Sequence, residues 1–250
     1  MQNISKAQIK EYSKLKQKKY RKEMNLFLAE GIKVCDELLK SDFTIEKVII
    51  EKSNQNLINK YSALLSEHQI LLGSLDDITR LSDTESPQDI IAYAKVRENH
   101  INYQDNFIYL EDIQDPGNLG TIIRTALWFG VENIYVSDNS VDFFSPKVIR
   151  STMGAVFHSN IVRIHPEINL REMFNEHKLY GTALQSEKSI KDVVKSEKFG
   201  LFFGNEARGL SPEIMKYLDE TFIISGSDDI ESLNLSVAAG IALYHFFDKK

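Results

Sequence analysis

One cysteine in 250 residues, Cys35, excludes any internal disulfide. Its setting, VCDELL, marks it as a small core residue rather than a catalytic thiol. No apolar run approaches the roughly 18 residues that a membrane helix requires, so no membrane partner is expected. The N-terminal MQNISKAQIKEYSKLKQKKY lacks the apolar stretch of a secretory signal, which points to a cytoplasmic location. The histidines at 68, 100, 158, 165, 177 and 245 show no metal-ligand spacing, so no metal is expected. Neither G-x-G-x-x-G nor G-x-x-x-x-G-K-[ST] occurs, which argues against an ordinary doubly wound nucleotide enzyme and against a P-loop.

What the chain does have is an uneven charge. Residues 1–97 carry 16 Lys+Arg and 14 Asp+Glu, a balance of +2, whereas residues 98–250 carry 14 and 22, a balance of −8. Between Lys6 and Lys22 there are eight basic residues and a single acid, Glu11. Lys10, Lys14, Lys18 and Lys22 recur at i, i+4, so a helix over about 4–23 would align them on one face. Taken alone, that face is either a solvated surface or a phosphate contact.

Hydrophobic periodicity divides the chain into two α/β series. In the first, the basic helix is followed by a helix over LAEGIKVCDELLKS and a strand over TIEKVIIE. NLINKYSALLSEH and LDDITRLSD read as helices, HQILLG and DIIAYAKV as strands, which predicts a mostly parallel sheet. The polar RENHINYQDN suggests a linker, set at 98–105 between a domain at 1–97 and another at 106–250. The second series has strands at FIYLE, NIYVS, NIVRI, LYGTAL, FGLFF and TFIIS. Its helices are LGTIIRTALWF, SPKVIRSTM, NLREMFNEH, PEIMKYLD and LSVAAGIALYHFF.

Three segments of the second series could carry chemistry. In DPGNLGTIIRTALWFG, residues Leu119, Ile122, Ile123, Ala126 and Leu127 form an apolar stripe, and Gly120, Arg124 and Trp128 fall on another face. Asn118 is placed to cap this helix and Gly130 to end it. Arg124 thus stands beside the carboxyl end of FIYLE, where ligands of open α/β sheets gather. In FGLFFGNEARGLSPEI, a strand ends at Gly204, Glu206 follows at the lip, and Ser211-Pro212 starts a helix. In DDIESLNLSVAAGIAL, Ser232 and Asn234 introduce a helix of small residues. Each segment is equally readable as a turn, a cap or packing.

Together, in this order and near this spacing, DPGNLGTIIRTA, FFGNEARGLS and ESLNLSVAAG resemble the SpoU (TrmH-type) RNA ribose 2′-O-methyltransferases of the SPOUT superfamily. SPKVIRSTMGAVF is similar to the segment that family places between its first two motifs. The likeness covers about 106–250, and residues 1–97 are similar in size and pattern to the family's L30e-like substrate-binding domain.

The resemblance implies an α/β fold whose C-terminal part is threaded into a trefoil knot, working as a homodimer with the last helix near the interface. It implies S-adenosyl-L-methionine as cofactor, held by Thr182, Ala183, Leu184, Gly204, Ile224 and Leu233. It implies a catalytic set of Asn118, Arg124, Glu206, Ser232 and Asn234, acting on structured RNA, rRNA ahead of tRNA. With RNA as substrate, Lys10, Lys14, Lys18 and Lys22 become phosphate contacts, joined by Lys147 and Arg150. A non-catalytic RNA-binding protein on the same fold is the alternative. One departure stands out: the family's usual Ile-Pro is Ile224-Ser225 here, which implies a loop of altered stiffness.

Overall fold

The computed structural model describes residues 1–165, 169–227, 229 and 232–247. Part of the acidic loop at 225–230 (228 and 230) therefore lies outside the described residues. Two compact units form, one from Met1–Glu98 with Asp142–Phe157, the other from Asn99–Val141 with His158–Lys250. The division falls between residues 98 and 99, and residues 142–157, expected in the second domain, group with the N-terminal unit.

The first unit contains β1 (Gln2–Asn3), α1 (Lys6–Tyr12), α2 (Lys18–Met24), β2 (Leu26–Glu30), α3 (Ile32–Leu39) and β3 (Ile45–Glu51). It continues with α4 (Gln55–Ser62), β4 (Ile70–Gly73), α5 (Leu75–Leu81) and β5 (Ile90–Lys95). The sheet runs β1-β4-β3-β5-β2. It is mixed rather than mostly parallel, because β5 is antiparallel to both β2 and β3. LFLAE is a strand and not the start of a helix: all five of its residues are buried, and Gly31, at φ 99°, turns the chain into α3. Cys35 is buried in α3, where burial pushes its thiol up, as befits a core residue.

The basic N-terminal segment is not one helix. α1 ends at Tyr12, a 3₁₀ turn covers Ser13–Lys16, and Gln17 is extended before α2 begins. The i, i+4 row of lysines is broken there, although Lys10, Lys14, Lys18 and Lys22 all remain exposed. The break lets Leu15 and Arg21 turn inward. Arg21 donates to the carbonyls of Leu15 and Lys16 and pairs with Asp142 at 2.6 Å.

The second unit contains β6 (Phe107–Leu110), α6 (Pro116–Trp128) and β7 (Asn133–Ser137). After α7 (Pro146–Thr152), which belongs to the first unit, come β8 (Asn160–Ile164), α8 (Leu170–Met173), β9 (Lys178–Thr182) and β10 (Phe199–Phe203). α9 (Pro212–Met215), β11 (Glu220–Phe222) and α10 (Leu235–Phe247) complete it. Its sheet runs β11-β9-β10-β6-β7-β8, and every pairing is parallel. Such a sheet needs cover on both faces. One face packs Phe107, Tyr109, Tyr135, Phe174, Leu179 and Phe202 into a core. On the other, Phe246 of α10 meets Tyr180, Phe199 and Phe222. α10 packs on α6, where a Cβ at Gly240 would make ordinary contact with Thr125 at 3.8 Å.

Candidate active site

Strand register determines where the site residues stand. Gly181 pairs with Phe202, Phe222 with Thr182, and Phe203 with Leu110. The carboxyl ends of β11, β9, β10 and β6 therefore finish at one level. Ala183, Gly204, Glu111 and Ile223 follow as a row along that edge. The segments after β9 and β11 are tied together: Ala183 N–H donates to Phe222 O, and Ile190 N–H to Ile223 O. Thr182 and Ala183, Gly204, and Ile224 thus come to one edge of the sheet. Gly204 is obligatory, since a Cβ would lie 2.1 Å from the Gly209 carbonyl carbon and 2.2 Å from Leu210 N.

The turn after β6 is built differently from the sequence expectation. Asp115, not Asn118, caps α6: its Oδ1 accepts from Asn118 N–H at 2.7 Å, and Pro116 takes the first helical position. Capping is thereby completed three residues earlier, and the Asn118 side chain is released. Its Nδ2 donates to Glu206 Oε1 at 3.1 Å, and its Oδ1 accepts from Asn234 Nδ2 at 3.1 Å. Asn234 also accepts from Ser236 N–H at 2.9 Å and so caps α10. One amide thus joins all three motif segments. At the far end of α6, Gly130 has φ 77° and its N–H donates to Leu127 O, ending the helix as expected.

Arg124 is exposed on α6, and its guanidinium has no hydrogen bond or ion pair among the described residues. Trp128, one turn on, is 85% exposed, whereas Gly120 of the same face is buried. Ser232 is exposed and stands outside the hydrogen-bonded trio. Leu184 and Leu233 are apolar yet 57% and 41% exposed, and Ile224 is half-buried. Ser225, in place of a proline, has its hydroxyl 3.5 Å from that of Ser189.

The structure adds residues that the sequence reading passed over. The loop at 205–209 closes by paired main-chain bonds between Asn205 and Gly209, of 2.9 and 3.0 Å. Asn205 Oδ1 accepts from the amides of Ala207 and Arg208, and its Nδ2 donates to Asp112 O at 2.9 Å. Ser211 N–H donates to Glu111 Oε2 at 2.8 Å. Asp115-Pro116 was a readable cap signal, but nothing local marks Asp112, Asn205 or Arg208.

In the first unit, Lys147 of α7 is exposed. Arg150 is half-buried and committed to carboxylates, with Asp83 at 3.2 Å and Glu30 at 3.9 Å. It differs from Lys147 in having little charge left to offer an external anion.

Comparison with known proteins bears on this arrangement. Residues 105–244 match the model of the SpoU rRNA Methylase family, and residues 6–92 that of the MRM3-like substrate binding domain. The 23S rRNA (guanosine(2553)-2′-O)-methyltransferase RlmP of Bacillus subtilis is 32% identical over 98% of both chains. An uncharacterized tRNA/rRNA methyltransferase of Synechocystis is 27% identical over 94% of this chain and 89% of its own. An AdoMet-bound rRNA methyltransferase from Sinorhizobium meliloti superimposes with a TM-score of 0.84 at 27% identity, over 98% of this chain and 96% of that one. With more than half of its residues in the family match and a whole-length relative at this identity, the chain belongs to the SpoU rRNA Methylase family.

Proposed function

We infer that the protein transfers the methyl group of S-adenosyl-L-methionine to a ribose 2′-hydroxyl of ribosomal RNA. The observation that carries this reading is the Glu206–Asn118–Asn234 relay at the carboxyl edge of a parallel sheet, on the same helix as an exposed Arg124 that has no partner among the described residues. The cofactor fits this edge. Leu184 and Leu233 leave apolar surface uncovered where a purine ring could lie, and the strand ends at Thr182, Ala183, Gly204 and Ile224 offer main-chain groups. When bound, the cofactor supplies an electrophilic methyl group on a sulfonium, so the chain need not activate the donor with a metal.

The protein's task is then to align the hydroxyl with the methyl group, so that the O–CH3 bond forms as the S–CH3 bond breaks and the hydroxyl proton passes to solvent water. Arg124 carries a guanidinium, which offers several hydrogen-bond donors and no acceptor. It serves by donating to the ribose oxygen as negative charge develops there. Glu206 spends Oε1 on Asn118 and keeps Oε2 to accept from a ribose hydroxyl. Asn234 fixes the orientation of the Asn118 amide, and Ser232 supplies a further hydroxyl to orient the ribose. The exposed lysines of α1 and α2, with Lys147, contact RNA phosphates.

The working form is a homodimer. Val237, Ile241 and Tyr244 of α10 and Trp128 of α6 are exposed apolar side chains that a second copy would cover. The C-terminal part of the fold is a trefoil knot, and the protein acts in the cytoplasm. As a boundary, no helix among the described residues is long and apolar enough to cross a membrane.

The test is to map 2′-O-methyl sites in ribosomal RNA from cells with and without the protein, and to measure cofactor binding by calorimetry. One site should disappear. An unchanged map together with no cofactor binding would leave only an RNA-binding protein.

A further inference from the structure

We propose that Arg208 takes a phosphodiester of the substrate RNA next to the ribose being modified, and that Asp112 holds the guanidinium ready for it. This rests on the reading of the chain as an RNA ribose methyltransferase. Arg208 lies two residues from Glu206, on the closed loop at 205–209. Its side chain is 73% exposed, and Nη2 reaches Asp112 Oδ2 at 3.3 Å. A guanidinium has five N–H donors, so one contact leaves most of the fork for an external anion.

The anchor is itself fixed. Asp112 has φ 53°, a left-handed conformation that aspartate tolerates better than most residues. Its N–H donates to Ser137 Oγ at 2.8 Å, Ser137 Oγ donates to its Oδ1 at 3.1 Å, and its carbonyl holds Asn205. Arg208 is therefore positioned relative to Glu206 by main-chain and side-chain bonds, unlike a surface arginine that wanders. Every ribose within an RNA strand is flanked by phosphodiesters, so a cation fixed this close to the ribose site has an anion to meet. It is needed because residues 98–250 carry −8 and repel a polyanion at large.

A loop staple and a phosphate contact predict opposite signs in one pair of variants. Methyl transfer to an in vitro transcript of 23S rRNA is measured for Arg208→Gln and Asp112→Asn, with Lys216→Gln as a charge-matched control. If Arg208 binds phosphate, Arg208→Gln raises the KM for RNA about tenfold, leaves cofactor affinity unchanged, and lowers the salt slope of RNA binding by about one. Asp112→Asn then leaves KM at or below the wild-type value, because it frees the guanidinium from a competing carboxylate. Lys216→Gln stays near wild type. A KM raised alike in both variants, an unmoved KM in Arg208→Gln, or a loss in cofactor affinity instead would overturn the proposal. Should the wild type methylate nothing, the proposed function fails separately. Filter binding of the same transcript then decides Arg208 by the same salt slope.

Discussion

The two ends of the six-stranded sheet solve opposite problems with similar residues. At the amino end, polar side chains close the structure. Tyr135 Oη exchanges hydrogen bonds with the Asn102 backbone, and Asn106 both accepts from Phe199 N–H and donates to Glu197 O. His177 is buried among Phe107 and Phe174, with ring centroids 5.5 and 5.6 Å away. At the carboxyl end, Asn118 joins Asn234 to Glu206, and Arg208 keeps an exposed side chain, as does Arg124 further along α6. A site of this kind keeps unspent hydrogen-bonding capacity at one edge while the other edge supplies the rigidity that holds it.

Truncating the closed edge should cost the most. Phe174→Ala removes a buried ring that lies 4.1 Å from Phe107 and 5.4 Å from Tyr135. It should destabilise the second unit by about 3–5 kcal/mol, read from chemical denaturation, with methyl transfer near normal in the folded fraction. A smaller loss, of under about 1 kcal/mol, would mean that this edge is loosely packed and the contrast between the two ends false. Next comes Arg124→Ala at the open edge. Stability should hold, since no described residue bonds to the guanidinium, and calorimetry should find cofactor binding intact. Transfer should fall by about 10²–10³-fold, the usual loss for one donor aimed at developing charge. Methylation at the wild-type rate would remove Arg124 from the mechanism.

Asn234→Ala tests the relay and carries a smaller effect. It removes the cap of α10, worth about 1 kcal/mol, and frees Asn118 to rotate away from Glu206. A drop in kcat that persists in Asn234→Ser, which keeps a cap but lacks the amide donor, would separate orientation from capping. The relay also marks how much of the molecule was readable from sequence. Strand, turn and helix after β6 follow from FIYLE, Asp-Pro and Gly130, because those signals are local. The bonds from Asn118 to Glu206 and Asn234 cross 88 and 116 residues, and no periodicity reports such distances. Only the family resemblance brought those motifs together. The LAE of LFLAE looked helical because four apolar residues in a row erase the period-2 signal of a strand buried on both faces. The interruption at Gln17 carries neither Gly nor Pro. Its cause is tertiary, the burial of Leu15 and Arg21, so local signals overstate the length of the helix.

The smallest effect concerns pH, and it again sets the closed edge against the open one. Burial pulls the His177 imidazole below its ordinary 6.5, only partly offset by the bond between Nε2 and the Asp105 carbonyl. The unfolded chain therefore binds a proton that the folded chain refuses. Stability contributed by neutral His177 is fully present above about 6.5 and is lost as pH falls from there toward the lowered folded value. A wild-type stability curve between pH 7 and 5 should slope downward on the acid side. His177→Gln, which can retain a donor to the Asp105 carbonyl, should flatten that slope without changing the acid dependence of methyl transfer. If the slope survives the substitution, the acid sensitivity belongs to another group. If instead transfer loses its pH dependence, the two ends of the sheet are coupled, and the division drawn between them fails.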